Sequence, residues 1–223
     1  MKTMSTMTRR TLLCLIVSAA ACGSADPTQK KAAPRVEGGA PAGPTGPTGP
    51  TEVGYFAGGC FWGVEHFLEQ LPGVVAVESG YMGGAKGSPT YDEVSSGDSG
   101  HAETVRVTFE PQKIGYAAVA RRFFEIHDPT EVDRQGPDIG TQYRSAVFVT
   151  GPEQRAAVED LLGKLRANGY EVATTIHEAG QFWLAEDYHQ NYYVRTKKTP
   201  YCHMPVPRFD RPAGGEGQAA EIL

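Results

Sequence analysis

The chain has 223 residues and a formal net charge of −5. That length carries one well-buried domain plus tails and does not provide for two full domains. The mild acidity gives no reason to expect a nucleic-acid partner.

The N-terminus reads as a targeting segment over residues 1–21. Lys2, Arg9 and Arg10 form a positive start, and Leu12 to Ala21 is an apolar run. A bilayer-spanning helix needs about 20 such residues, and this run falls well short. Small residues then lead to Cys22, which fits a lipoprotein signal with the lipid on the Cys22 sulfur. Ala19 stands three places before Cys22, where leucine is usual. The alternative is an ordinary signal peptide with a chance cysteine. Thr8 to Leu13 (TRRTLL) also fits a twin-arginine export signal. Residues 22–51 are rich in Pro, Gly and Thr, with GPT repeated, and read as an extended tether. Residues 52–207 are expected to fold, and 208–223 to be a disordered tail.

Within the domain, Val53 to Ala57 reads as a strand broken by Gly58-Gly59. A helix begins at or near Cys60, with the stripe Phe61, Val64, Leu68 and Leu71, and ends at Pro72-Gly73. Val74 to Tyr81 is a strand. A Gly- and Ser-rich loop to Gly100 holds one helical turn, TYDEVSS. Ala102 to Phe109 alternates as a strand, Ile114 to His127 is a helix, and Asp128 to Thr141 is a polar loop. Tyr143 to Thr150 is a strand, Pro152 to Ala167 a helix, Glu171 to Ile176 a strand and Ala185 to Arg195 a last helix. Strands and helices do not strictly alternate, which argues against a doubly wound parallel sheet. The order fits an α+β two-layer sandwich, helices on a mixed sheet with a βαββαβ core.

Four cysteines are present. Cys14 lies in the signal and Cys22 is the lipid site, which leaves Cys60 and Cys202 in the domain. At a helix start, the Cys60 sulfur would sit near unpaired N–H groups and the positive dipole end, which lowers a thiol pKa. It can equally be a small buried residue. Phe61 fits the inward stripe. Trp62, about 100° further round, is expected to face elsewhere, onto a pocket wall beside the sulfur. His66 is not placed to serve as the thiol's base. Alternation puts Glu103 on one strand face with Val105 and Val107, so its carboxyl should have a raised pKa and could act as an acid. A strand-end glutamate reaching water is the bland alternative. Asp138 and Tyr143 are candidates in the polar stretch from Arg134 to Ser145, and Tyr81 ends a strand beside Gly83-Gly84. In AEDYHQNYY, Glu186 and His189 could be caps or ligands.

GCFWG, GYMGG, GHAE, DPT with RQG, GTQYRS and AEDYHQ occur in this order. Together they resemble the peptide methionine sulfoxide reductases of the A type, over about Val53 to Pro205. The resemblance implies a ferredoxin-like core and a substrate of methionine sulfoxide, free or in proteins, in the S configuration. It implies no cofactor and no metal. Cys60 would be the nucleophile, Phe61 and Trp62 the aromatic wall for the S-methyl group, and Glu103 the acid for the sulfoxide oxygen. Tyr81 and Tyr143 would bind that oxygen, with Asp138 a polar residue of the site. Cys60 would be left as a sulfenic acid. Cys202 would then form a disulfide with it, recycled by a thioredoxin-like reductant. Pro137 replaces an Asn that commonly precedes the loop aspartate. The expected protein is an exported monomer, tethered to an envelope membrane through Cys22 and engaged in protein repair.

Rival readings fare worse. HAE (His101 to Glu103) fits the H-x-E of a zinc deaminase, but no P-C-x-x-C follows. Nothing pairs Cys60 with His127, His177 or His189 as a hydrolase would need. The non-enzyme alternative is a lipid-tethered binding module with a structural Cys60–Cys202 disulfide.

Overall fold

The computed structural model of the chain describes Pro47 and residues 49–210. Residues 1–21, read from the sequence as a targeting segment, Cys22, most of the stretch read as a tether, and residues 211–223 lie outside the described residues. Among those described, no helix is long and apolar enough to cross a membrane.

The elements are β1 (Glu52–Gly58), α1 (Phe61–Leu68), β2 (Val74–Met82), α2 (Tyr91–Ser95), β3 (Ala102–Phe109) and α3 (Tyr116–Ile126). Then come β4 (Arg134–Gln135), β5 (Asp138–Ile139), a 3-10 turn (Thr141–Tyr143), β6 (Ser145–Val149) and α4 (Pro152–Ala167). The last are β7 (Thr175–Glu178), β8 (Trp183–Leu184) and α5 (Tyr192–Thr196). Six strands make one mixed sheet in the order β7-β6-β1-β3-β2-β8, and β4 and β5 form a separate hairpin. Within the large sheet only β6 and β7 pair in parallel.

The period of two along each strand sorts the sheet into faces. Phe56, Val105 and Val147 are in register across β1, β3 and β6. With Val77, Val107 and Phe109 they form one core with the apolar stripes of α1, α3 and α4. In α3 that stripe is Val119, Ala120, Phe123 and Phe124, all fully buried. Each such phenylalanine contributes about 1.5–3 kcal/mol by leaving water. The opposite face carries Ala57, Met82, Ala102, Ala146 and Phe148, covered by Phe182 from the segment before β8. The architecture is therefore α+β, with helices on one face of a mixed sheet.

Four of the departures from the sequence reading have a clear local reason. Helix α1 stops at Leu68 rather than Leu71, where the Leu71 N–H turns back to the Leu68 carbonyl and Gly73 adopts φ 98°. Tyr143 closes a 3-10 turn on Gly140 instead of opening the strand. Strand β7 starts at Thr175, because the Ala173 N–H is taken by the Pro129 carbonyl outside the sheet. The stretch from Ala185 is turns, not helix. Gln190 bonds both backbone groups of Ser79. Asn191 adopts left-handed φ 52°, so helix forms only from Tyr192. The folded part also runs past Pro207. Asn168 donates to the carbonyls of Arg208 and Phe209 at 2.9 and 3.1 Å, and Phe209 packs on the core.

Candidate active site

Strand β1 delivers the chain to Gly58, and Gly59 (φ 92°) turns it into α1. Only glycine holds that φ without strain, and a Cβ there would lie 2.5 Å from Gln135 Cβ. Cys60 is the N-cap residue and is buried. The first N–H groups of a helix lack intrahelical partners, and here each has one. Phe61 N–H donates to Glu103 Oε2 at 3.0 Å. Trp62 N–H is directed at the Cys60 sulfur. Gly63 N–H reaches the Cys60 carbonyl at 3.1 Å.

Glu103 stands on β3 opposite Tyr81 of β2. Its side chain faces the helical layer beside Val105 and is 2% exposed. Burial pushes its carboxyl up to about 8, against the opposing pull of the Phe61 N–H. Near neutrality Glu103 is therefore an acid holding its proton, as the strand alternation suggests.

Cys202 comes from the C-terminal segment and is half-buried. Both thiols are free. Cys60 Sγ, Cys202 Sγ and an Asp138 carboxylate oxygen all lie within 4.8 Å of one another. Two sulfurs and a carboxylate could hold a soft divalent cation; they are equally the arrangement two thiols need to form a disulfide. Tyr201 donates to Asp138 Oδ1 at 3.2 Å.

The Cys60 thiol is pushed well above its usual range, first by its hydrogen bond with Cys202, then by burial and by Glu103. Cys202 is drawn down to about 6, first by the Cys60 hydrogen bond and further by His203. The two thiols thus titrate as a pair that shares a proton, with Cys60 shifted toward thiol and Cys202 toward thiolate. This corrects the expectation that the helix start alone would make Cys60 the thiolate. Its Trp62 N–H does act in that direction, but the neighbouring thiol and burial outweigh it.

The aromatic pair divides as the helix geometry requires. Phe61 is 1% exposed and packs on Tyr81 and His189, with centroids at 5.9 and 4.9 Å. Trp62 remains half-exposed, stacked on Tyr192 at 3.7 Å and 6°. Its Nε1–H donates to His189 Nδ1 at 3.1 Å. Glu186, His189, Gln190 and Tyr192 of AEDYHQNYY are thus supports for the site.

Tyr81 stands opposite Glu103, but its hydroxyl is committed elsewhere. Its hydroxyl donates to Glu186 Oε2 at 2.8 Å, and the residue is fully buried. Sequence reasoning missed Tyr91, the first residue of α2. Burial first, then Glu103 and Cys60, push Tyr91 up to about 12. Tyr143 is raised by burial, then by Glu103, Tyr91, Asp138 and Cys60. Two protonated phenols therefore converge on Glu103 and Cys60. A detectable signal lay in the helical turn TYDEVSS, where Thr90 N–H donates to Glu93 Oε2 at 3.0 Å. Buried Glu65 was missed too. Its Oε1 accepts the Asn191 N–H at 3.0 Å, and burial raises it to about 8. A separate cavity of about 450 Å³ lies by Gly83, Arg144, Phe148 and Trp183, and none of the groups grouped around Cys60 lines it.

Residues 52–214 match the family model described as peptide methionine sulfoxide reductase. The chain is 47% identical over 154 residues to the peptide methionine sulfoxide reductase MsrA of Deinococcus radiodurans, covering 68% of this chain and 75% of that one. It is 49% identical over 146 residues to the MsrA of Methanoculleus marisnigri, covering 63% and 87%. Among solved structures it is similar to reduced Mxr1 of Saccharomyces cerevisiae, with TM-score 0.67 and 32% identity, covering 72% of this chain and 95% of that one. Methionine sulfoxide reductase A of Corynebacterium diphtheriae gives TM-score 0.60 and 34% identity over 70% and 84%.

Proposed function

We propose a mechanism for a chain that belongs to the peptide methionine sulfoxide reductase A family, with Cys60 as nucleophile and Cys202 as resolving thiol. The activity is thiol-dependent reduction of methionine sulfoxide. The observation that carries the residue roles is the convergence of Cys60 Sγ, Cys202 Sγ and the Asp138 carboxylate within 4.8 Å, at the helix start that also binds Glu103.

The sulfoxide's S-methyl group lies against Trp62 and Phe61, which puts its sulfur by Cys60. Entry of substrate separates Cys60 from Cys202 and removes the largest cause of the raised Cys60 pKa. Trp62 N–H then stabilises the thiolate that attacks the sulfoxide sulfur. Glu103 gives its proton to the sulfoxide oxygen, and Tyr91 and Tyr143 donate hydrogen bonds to it. An oxygen so bound makes the attacked sulfur more electrophilic and becomes a competent leaving group. Methionine departs and Cys60 is left as the sulfenic acid. Attack by Cys202 gives the Cys60–Cys202 disulfide.

We take the recycling reductant to be a thioredoxin-like dithiol protein. Exchange needs an accessible sulfur, and half-buried Cys202 lies in a stretch whose Tyr201 and Met204 are 59% and 75% exposed. We also read residues 1–21 as an export signal with lipid on Cys22, and the protein as a monomer. Loss of palmitate labelling in Cys22→Ala would be the supporting result for the anchor. The strand order β6-β1-β3-β2, with antiparallel neighbours throughout, supports a ferredoxin-like core.

The deciding experiment supplies the purified protein with each epimer of a methionine sulfoxide peptide and dithiothreitol. Turnover of the S epimer alone is expected. Reduction of the R epimer alone, or of neither, would end this reading.

A further inference from the structure

Gly63 closes the GCFWG motif, and there is no room there for a side chain. A Cβ on Gly63 would lie 2.2 Å from Nδ1 of His203. The His203 ring occupies that notch and is 1% exposed. Its neighbours in the C-terminal segment are not: Tyr201, Met204 and Val206 are all exposed. From Tyr201 to Pro207 the His203 imidazole is the one fully buried side chain, and it sits next to half-buried Cys202.

Both ring nitrogens are used. Nε2 lies 2.7 Å from the Gly58 carbonyl oxygen, which can only accept, so Nε2 carries the hydrogen. In the neutral ring the remaining lone pair is on Nδ1, and Nδ1 lies 3.0 Å from Cys202 Sγ. The backbone carbonyl thus fixes the tautomer that offers a base to the thiol, as a third group orients the base of a nucleophile. The titratable groups around the ring are Cys202 at Nδ1, with Cys60 and Asp138 beyond the sulfur, and His127 at the end of α3. Burial holds His127 down to about 3, so it is neutral.

We infer that His203 is the general base of the resolving step, removing the Cys202 proton at Nδ1 and returning it to the departing oxygen. The inference rests on the reading of Cys202 as the resolving thiol. It explains a need that arises only after the first reaction. In the reduced site the Cys60 thiol is the main partner stabilising a Cys202 thiolate. Once Cys60 has become a sulfenic acid, that S–H is gone, and His203 is the partner that persists. Cys202 Sγ then attacks Cys60 Sγ. The S–S bond forms as the S–O bond breaks, Cys202 is oxidised and Cys60 reduced, and hydroxide takes the His203 proton to leave as water.

The test uses the full protein, excess S-epimer substrate and no reductant, with rapid quenching. Methionine release, Cys60 sulfenic acid trapped by dimedone, and Cys60–Cys202 disulfide are followed separately by mass. His203→Gln retains an amide N–H for the Gly58 carbonyl and removes the base. It should release one methionine per chain yet form disulfide on the order of 10²-fold more slowly, with dimedone adduct accumulating. Added imidazole should speed disulfide formation in His203→Gly. Gly63→Ala, which fills the notch, should also slow resolution. Disulfide formation at the unmodified rate in His203→Gln overturns the inference. So does a slow His203→Gly that imidazole leaves slow, since the ring is then an anchor only. Cys202→Ser, run in parallel, separates the two readings: repeated turnover by that variant with a thioredoxin system sinks the resolving role itself.

Discussion

Replacing Glu103 by Gln tests the centre of the mechanism and has two readouts of opposite sign. The carboxyl is fully buried and pushed up to about 8 from an ordinary 4.5. At pH 7 it is protonated in roughly nine of ten folded molecules and ionised in nearly all unfolded ones. The sign follows from the raised value. The fold is favoured below the unfolded pKa, and stability is lost progressively from about pH 4.5 up to about 8. By pH 7 the loss is about 3 kcal/mol, taking about 1.4 kcal/mol per unit of pH over the 2.5 units above the ordinary value. Glu103→Gln has no proton to lose, and its amide oxygen can still accept the Phe61 N–H. The variant should melt higher at pH 7, by roughly 6–12 °C for a domain of this size, with the excess shrinking toward pH 4.5. Sulfoxide reduction should fall by about 10²–10⁴, the range for loss of a positioned acid, while Cys60 stays alkylatable. Calorimetry between pH 4.5 and 8 and single-turnover kinetics measure the two. Unchanged turnover would remove Glu103 as the acid; an unchanged melting profile would refute a buried, neutral carboxyl.

Other substitutions separate neighbouring roles. Cys202→Ser should give one methionine per chain and no recycling by a thioredoxin system. Because it removes the largest cause of the raised Cys60 pKa, Cys60 should alkylate faster at pH 7, and a slower rate would contradict the shared-proton pair. Trp62→Phe keeps a ring but loses the bond to His189 Nδ1. KM for the sulfoxide should rise several-fold and stability fall by about 1 kcal/mol; an unchanged KM would take Trp62 out of the pocket wall. Tyr91→Phe should slow reduction at least tenfold. Tyr81→Phe should instead cost about 1–2 kcal/mol of stability through its bond to Glu186, with turnover close to unmodified. The reverse pattern in steady-state assays would restore Tyr81 to the site.

What could be read from the sequence was local. Glu103 was legible because strand alternation puts it with Val105 and Val107, and one face of β3 is the core. Cys60 at a helix start followed from Gly58-Gly59 and the stripe Phe61, Val64 and Leu68. What could not be read was set by partners far along the chain. Tyr81 and Tyr91 flank the same glycine-rich loop, and Glu186, about a hundred residues on, decides between them. It accepts the Tyr81 hydroxyl and fixes the Tyr91 backbone N–H at 2.9 Å. The turns from Ala185 to Asn191 likewise depend on Gln190 reaching Ser79, which no periodicity in AEDYHQNYY encodes. The hairpin of β4 and β5 inside the polar loop positions Asp138 with only two residues per strand, too short to leave a pattern.

The misjudged charge on Cys60 comes down to magnitudes. A helix N-terminus stabilises a nearby anion by about 0.3–1 kcal/mol, up to ~2 when partly buried. One pKa unit is about 1.4 kcal/mol, so the dipole commands little more than a unit. At Cys60 the hydrogen bond with the Cys202 thiol is the largest opposing cause, and burial, which moves fully enclosed groups by up to about 3–5 units, adds to it. The same comparison explains Glu103. It accepts a helix N–H, as a carboxylate would, yet its carboxyl rises to about 8 because burial dominates. The N-terminus of α1 therefore serves less as a source of charge than as a jig. Phe61 N–H holds the Glu103 carboxyl, Trp62 N–H the Cys60 sulfur, and the bare Gly63 leaves room for the His203 ring that carries Cys202 alongside. On the mechanism proposed above, Glu103 stays protonated and Cys60 stays a thiol until substrate parts the two sulfurs. Saturating substrate, or loss of Cys202, should then shift Cys60 in the same direction, toward thiolate.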